Sequence, residues 1–179
     1  MHEYIGQVEK LLDAERDSTV ELDREIGEGV FSATSDPEHP TIAPTVEPVP
    51  PHLDFSPLDN SADSLARSAE RYAHALGAVR ATDSTALSDA VANRVNAVLI
   101  QSERRLTDQR GLPRRPWYEH ELYAPGLYTG YGVKTMPAVR EAIEQRDFDQ
   151  ASAQIRVVAD ALNREAALVD SAAAALHGP

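Results

Sequence analysis

From Phe148 to Leu176 apolar side chains recur at spacings of three, four or seven: Phe148, Ala151, Ile155, Val158, Leu162, Val169 and Leu176. At 3.6 residues per turn these fall on one stripe of an α-helix, and so long a stripe must be covered by other elements. Asp147 supplies an N-cap, with Gln150 at capping-box spacing, and Gly178 and Pro179 close the pattern. Alanines at 151, 159, 161, 166, 167 and 172–175 keep the helix slim, so that neighbours can approach closely. A chain built around this element is a helical bundle.

Four more segments fit that architecture. Residues 2–27 carry Ile5, Val8, Leu12, Thr19, Leu22 and Ile26 on one face, interrupted by Glu15, with Gly27 and Gly29 as stop signals. Residues 59–80 keep a similar stripe through Leu58, Ala62, Leu65, Ala69, Tyr72, Leu76 and Val79. A third helix is expected from an N-cap at Asp83 to about Leu106, with Leu87, Val91, Val95, Val98 and Leu99 inward. The short connection at Thr82 and Asp83 makes it an antiparallel neighbour of the helix before it. A short helix is expected over 136–146, with Pro137 in its first turn. The fold class is therefore all-α: a single domain over 1–179, an up-and-down bundle of four to five helices. A helical pattern is already running at residue 1, as expected of a piece of a longer chain.

Two stretches break the pattern. Residues 30–57 hold seven prolines, Pro37 to Pro57, and no helix is expected to survive that spacing. An excursion of this length is expected to wrap over something, with Phe31, Ile42, Val46, Leu53 and Phe55 as anchors. The second stretch is a loop at 107–135. Over 111–137, GLPRRPWYEHELYAPGLYTGYGVKTMP, it holds Trp117, four of six tyrosines, four of nine glycines and four of twelve prolines. Large rigid side chains on a Gly/Pro-rich loop point to a functional surface.

Little else in the sequence points to chemistry within the chain. The net charge is −12, which disfavours nucleic acid as a partner. The arginines at 104, 105, 110, 114 and 115 read as a helix end and a solvated loop. There are no cysteines, hence no disulfide, thiolate metal site or cysteine nucleophile. No apolar run has transmembrane length, and residues 1–30 lack the apolar core of a signal peptide. None of the six histidines has HExxH spacing. Glu119, His120 and Glu121 are consecutive and, in an extended segment, point to alternate sides, which suits hydrogen-bonded loop residues better than a metal site. GxSxG, GxGxxG and phosphate-loop patterns are absent.

The run GLPRRPWYEHELYAPGLYTGYGVKTMPAVREAI resembles the C-terminal helical domain of the glutamate carboxypeptidase II family, the transferrin-receptor-like dimerisation domain. The resemblance rests on GLP-x-RP-(aromatic)-Y-x-H at 111–120, on (hydrophobic)-YAP at 122–125, on Tyr131 and Pro137, and on Glu141, Ala142 and Ile143. VNAVLIQSERRLTDQRGLP, DFDQASAQIRVVADALNREAALV and the Pro-rich arm are similar to the flanking parts of that domain. The resemblance covers most of the chain, most strongly 90–170.

It implies a dimerisation and cleft-completing domain of a zinc-dependent exopeptidase. The partners implied are a second copy, the peptidase domain of the same parent chain, and a peptide substrate at the aromatic loop; no nucleic acid and no membrane. The two zinc ions are implied for the parent's peptidase domain, with no cofactor and no catalytic residue in this chain, which alone would be silent. A secreted or periplasmic location is implied. In glutamate-specific members a Lys-Tyr pair on this loop holds the substrate's terminal glutamate; the matching positions are Gly130 and Tyr131. The tyrosine is kept and the lysine is not, with Lys134 as a substitute three residues beyond Tyr131. The alternatives are a non-enzymatic receptor-like interaction module and a free-standing helical binding protein.

Overall fold

The structure, a computed structural model, describes residues 1–36, 38–82, 87–130 and 132–177. Among them five helices have eight or more residues: α1 (His2–Gly27), α3 (Ser56–Thr82), α4 (Asp89–Leu99), α6 (Pro137–Glu144) and α7 (Phe148–Leu176). Two single turns, α2 (Val30–Ala33) and α5 (Ser102–Arg105), and a two-stranded ribbon, β1 (Tyr123–Pro125) with β2 (Val133–Thr135), complete them. The domain is mostly α, as expected.

α7 is the axis. Its predicted stripe buries Ala151, Ile155, Val158, Leu162 and Leu176, while Leu168 is buried and Val169 half-buried. The Asp147 carboxylate accepts from the Gln150 N–H at 3.0 Å, capping the helix. Gly178 and Pro179 lie outside the described residues. α3 runs in the same direction: Leu58 and Ala62 share a core with Ile155 and Ala159, Arg71 pairs with Asp170 at 2.7 Å, and Ala75 packs with Leu176. α3 starts three residues earlier than expected, because Pro57 fits a first helical turn and Asp54 accepts from the Ser56 N–H.

α4 runs against α7. Arg94 donates to the Ala175 carbonyl, Ser102 Oγ to Glu165 at 2.6 Å, and Arg164 to the carbonyls of Arg105 and Thr107. The expected cap Asp83 lies outside the described residues. The helix starts at Asp89, capped by Ser88, whose hydroxyl accepts from the Val91 N–H. It is also shorter than expected, interrupted at Ile100 and Gln101 before the turn of α5. Its opposite direction to α3 holds, and the two meet through α7 in a cluster around Ala75, Val95 and Leu176.

α1 buries Ile5, Val8, Leu12 and Thr19, while Leu22 and Ile26 are half-buried. Thr19 tolerates burial because its hydroxyl donates to the Glu15 carbonyl and accepts from Arg146. The chain leaves α1 through Gly29, left-handed at φ 72°, into α2. The Pro-rich reading overlooked that turn, which sits before the first proline.

Beyond it, residues 35–55 form no helix or strand among the described residues. Of the expected anchors, Phe55 is buried and Leu53 packs on the core, but Ile42 is 90% exposed and Val46 is exposed too. The arm is held instead by its carbonyls: Arg16 donates to that of Pro50, and Arg146 to that of Pro48 at 2.5 Å while pairing with Glu47. Proline removes a donor but leaves an acceptor, which an arginine fork can use.

Candidate functional site

The aromatic loop is fastened at three levels. At its base Asp108 N donates to the Glu119 carbonyl at 2.8 Å and Glu121 N to that of Leu106 at 3.0 Å. In its first lobe Gly111 is left-handed at φ 67°, and a Cβ there would sit 2.2 Å from the Pro116 carbonyl oxygen. Only glycine fits that crossing. In its second lobe β1 and β2 pair antiparallel, Ala124 opposite Lys134. Strands of three residues are too short to leave a period of two in the sequence, and none was expected.

A buried ion pair joins the lobes to α6. Arg115, 2% exposed, directs Nη2 at both oxygens of Glu141, at 2.8 and 2.7 Å, and donates through Nη1 to the Pro125 carbonyl. Glu141 in turn accepts from the Leu127 N–H at 2.8 Å. This corrects the expectation of a solvated loop at Arg115, which is buried at the centre of the loop, while Arg104 and Arg105 do end a helical turn and Arg110 and Arg114 are exposed. The signal available in the sequence was Glu141, a charge flanked by apolar Pro137, Ala138 and Ala142 on a helix that turns that face inward.

The aromatic rings point the other way. Trp117 is 71% and Tyr128 78% exposed, and Tyr118 and Tyr123 are also exposed. Tyr118 lies 6.4 Å from Trp117 between ring centroids, with the Arg115 guanidinium over its ring. The Tyr123 ring stacks on His120 at 3.9 Å, and both groups hydrogen-bond Glu103. That bond raises the Tyr123 hydroxyl pKa, since ionisation would set a phenolate against the carboxylate. The loop thus has a tied, buried inner side and an aromatic outer side.

Of the residues singled out for substrate contact, Gly130 is exposed near Tyr128, left-handed at φ 60°, with open space where a Cβ would be. Lys134 lies on β2, its ammonium paired with Glu144 of α6 and its stem against Gly126. Tyr131 lies outside the described residues.

Glu119, His120 and Glu121 diverge. Glu119 is exposed, His120 turns to Glu103, and Glu121 is buried toward α7. Among the described residues no three His, Asp or Glu side chains gather as a metal site, so these residues do not fit the two-zinc centre that the resemblance implies for the parent. Nor is any described helix long and apolar enough to cross a membrane.

Comparison with known proteins gives the architecture a family. The sequence profile of the transferrin receptor-like dimerisation domain matches residues 53–170. The chain is 48% identical over 50 residues to a probable glutamate carboxypeptidase of Arabidopsis thaliana, covering 28% of this chain and 7% of that one. It is 35% identical over 77 residues to a probable glutamate carboxypeptidase of Arthroderma benhamiae, covering 43% of this chain and 11% of that one. It is 33% identical over 69 residues to an inactive zinc metalloprotease of Schizosaccharomyces pombe, covering 38% and 9%. The matches thus span roughly a tenth of those relatives' lengths. The matched profile takes in α3, α4, the aromatic loop, α6 and most of α7, and the chain belongs to the transferrin receptor-like dimerisation domain family.

Proposed function

We propose that this chain is the dimerisation and cleft-completing domain of a larger zinc-dependent exopeptidase of the glutamate carboxypeptidase type. The observation that carries the reading is the aromatic loop inside the family match, tied inward by Arg115 and Glu141 and turning Trp117 and Tyr128 outward. A wall for someone else's cleft needs that combination of fixed backbone and free side chains. The bundle serves a second copy and the parent's peptidase domain. Hydrolysis and its two zinc ions belong to that peptidase domain. The location proposed for the parent is secreted or periplasmic.

On this reading Tyr131 is the loop's substrate contact. Gly130 brings no charge where glutamate-specific relatives place a lysine, and the Lys134 ammonium is taken by Glu144. Selectivity for a C-terminal glutamate is weakened on this reading, because glycine at 130 supplies no charge to a second carboxylate.

The test is made on the intact parent protein by light scattering, zinc analysis and a dipeptide panel. A zinc-loaded dimer that releases C-terminal residues is expected. A monomer at micromolar concentration, or a zinc-free protein without hydrolysis, would contradict the reading. The similarity to an inactive zinc metalloprotease favours one second reading, a receptor-like interaction module without peptidase activity. A zinc-free, inactive dimer is its signature.

A further inference from the structure

Behind the aromatic loop, between its base and α7, lies a cavity of about 90 Å³ lined by Asp108, Arg110, Gly111, Glu121, Gln154 and Val157. Glu121 is 1% exposed, and its Oε2 is buried without a hydrogen-bond partner among the described residues. A buried carboxylate oxygen left unpaired is costly when charged, so such a site calls for a ligand. Two arginines decide which. Arg110 holds Asp108 through three hydrogen bonds at 2.7 to 2.9 Å, and Arg164 donates from α7 to the Thr107 carbonyl. Arg110 lines the site and Arg164 acts on Glu121 electrostatically, and both positive charges oppose a metal cation. A proton neutralises Glu121 at no cost in space.

We propose that Glu121 is a proton-binding site that fastens the aromatic loop to α7: protonated, it keeps the seam closed, and ionised, it loosens the loop base. The charged groups around it are Asp108 and Arg110 from the loop and Arg164 from α7, with Asp160 of α7 acting on Arg110. Asp108 opposes ionisation of Glu121, while Arg110 and Arg164 favour it but are engaged elsewhere. Burial first, then Asp108, pushes Glu121 up to about 7, near neutrality. The backbone link most directly affected is that of Glu121 N to Leu106 O, at the point where the loop leaves α5. This inference concerns the chain's own loop and stands whether or not the parent is a peptidase.

The test is amide hydrogen exchange of the 179-residue chain from pH 5.5 to 8.5, corrected for intrinsic rates, at Asp108, Leu112 and Glu121. If opening solvates Glu121, protection falls about thirtyfold across that range. Glu121→Gln should hold protection constant. A flat wild-type profile, or an unchanged fall in Glu121→Gln, overturns the proposal. Should that variant not fold, Asp108→Asn keeps the test open: the midpoint must move to lower pH, and an unmoved midpoint overturns it.

Discussion

Arg115 and Glu141 are 26 positions apart and form a fully buried ion pair in which one guanidinium nitrogen contacts both carboxylate oxygens. The pair also takes up the Pro125 carbonyl and the Leu127 N–H, so both lobes of the aromatic loop close on one point of α6. Removing one partner strands a buried charge. Arg115→Met should therefore cost about 3 to 5 kcal/mol in urea unfolding. Arg115→Met with Glu141→Leu should cost less, because no charge is then left unpaired. A double variant no more stable than the single would show that the pair's value lies in its backbone contacts.

The two left-handed glycines of the loop should respond differently to alanine. At Gly111 the added Cβ meets the Pro116 backbone, and a cost of about 3 kcal/mol or more is expected. At Gly130 the space is open, and only the backbone conformation opposes the change, at about 1 kcal/mol. Thermal unfolding of both variants checks the order.

Two carboxylates of the loop base give opposite pH dependences. Hydrogen bonds from Arg110 hold Asp108 down to about 2. Its contribution is present above pH 4 and lost as pH falls toward 2; solvent screening of the exposed Arg110 limits it to about 1 kcal/mol. Glu121 is raised from 4.5 to about 7, so the folded state holds its proton where the unfolded state does not. Its stability contribution is full below pH 4.5 and is lost as pH rises to 7, by about 3 kcal/mol. Urea midpoints from pH 3 to 8 should decline over 4.5–7, and Glu121→Gln should remove that decline.

The arm should depend on a residue far from it in sequence. Arg146 is left-handed at φ 58° and contacts Thr19, the Pro48 carbonyl and Glu47. Arg146→Ala should accelerate limited proteolysis over residues 40–49 without altering cleavage elsewhere. Unchanged cleavage would mean that the Arg16 contact with Pro50 holds the arm alone.

Helices with long stripes and good caps were readable from the sequence: α1 kept its expected limits, and Asp147 capped α7 as its spacing predicted. The start of α4 was not: it begins at Asp89 with Ser88 as its cap, a residue the sequence reading passed over. The arm's anchors were misjudged at Ile42 and Val46, since a Pro-rich segment can be held by its carbonyls rather than its side chains. In the aromatic loop Trp117, Tyr118, Tyr123 and Tyr128 are exposed, as its Gly/Pro-rich sequence suggests. Its fastening was not readable, because Arg115 and Glu121 are buried by elements distant in sequence, α6 and α7, and only the apolar flanks of Glu141 hinted at a buried charge.

The central claim is that this loop forms one wall of a peptidase cleft, with Tyr131 against the substrate. The direct measurement is kcat/KM of the intact parent peptidase over a panel of dipeptides, comparing Tyr131→Phe with the wild type. The account predicts a loss of about tenfold, the worth of roughly one hydrogen bond to a carboxylate, with the dimer intact. Unchanged kcat/KM across the panel would contradict it.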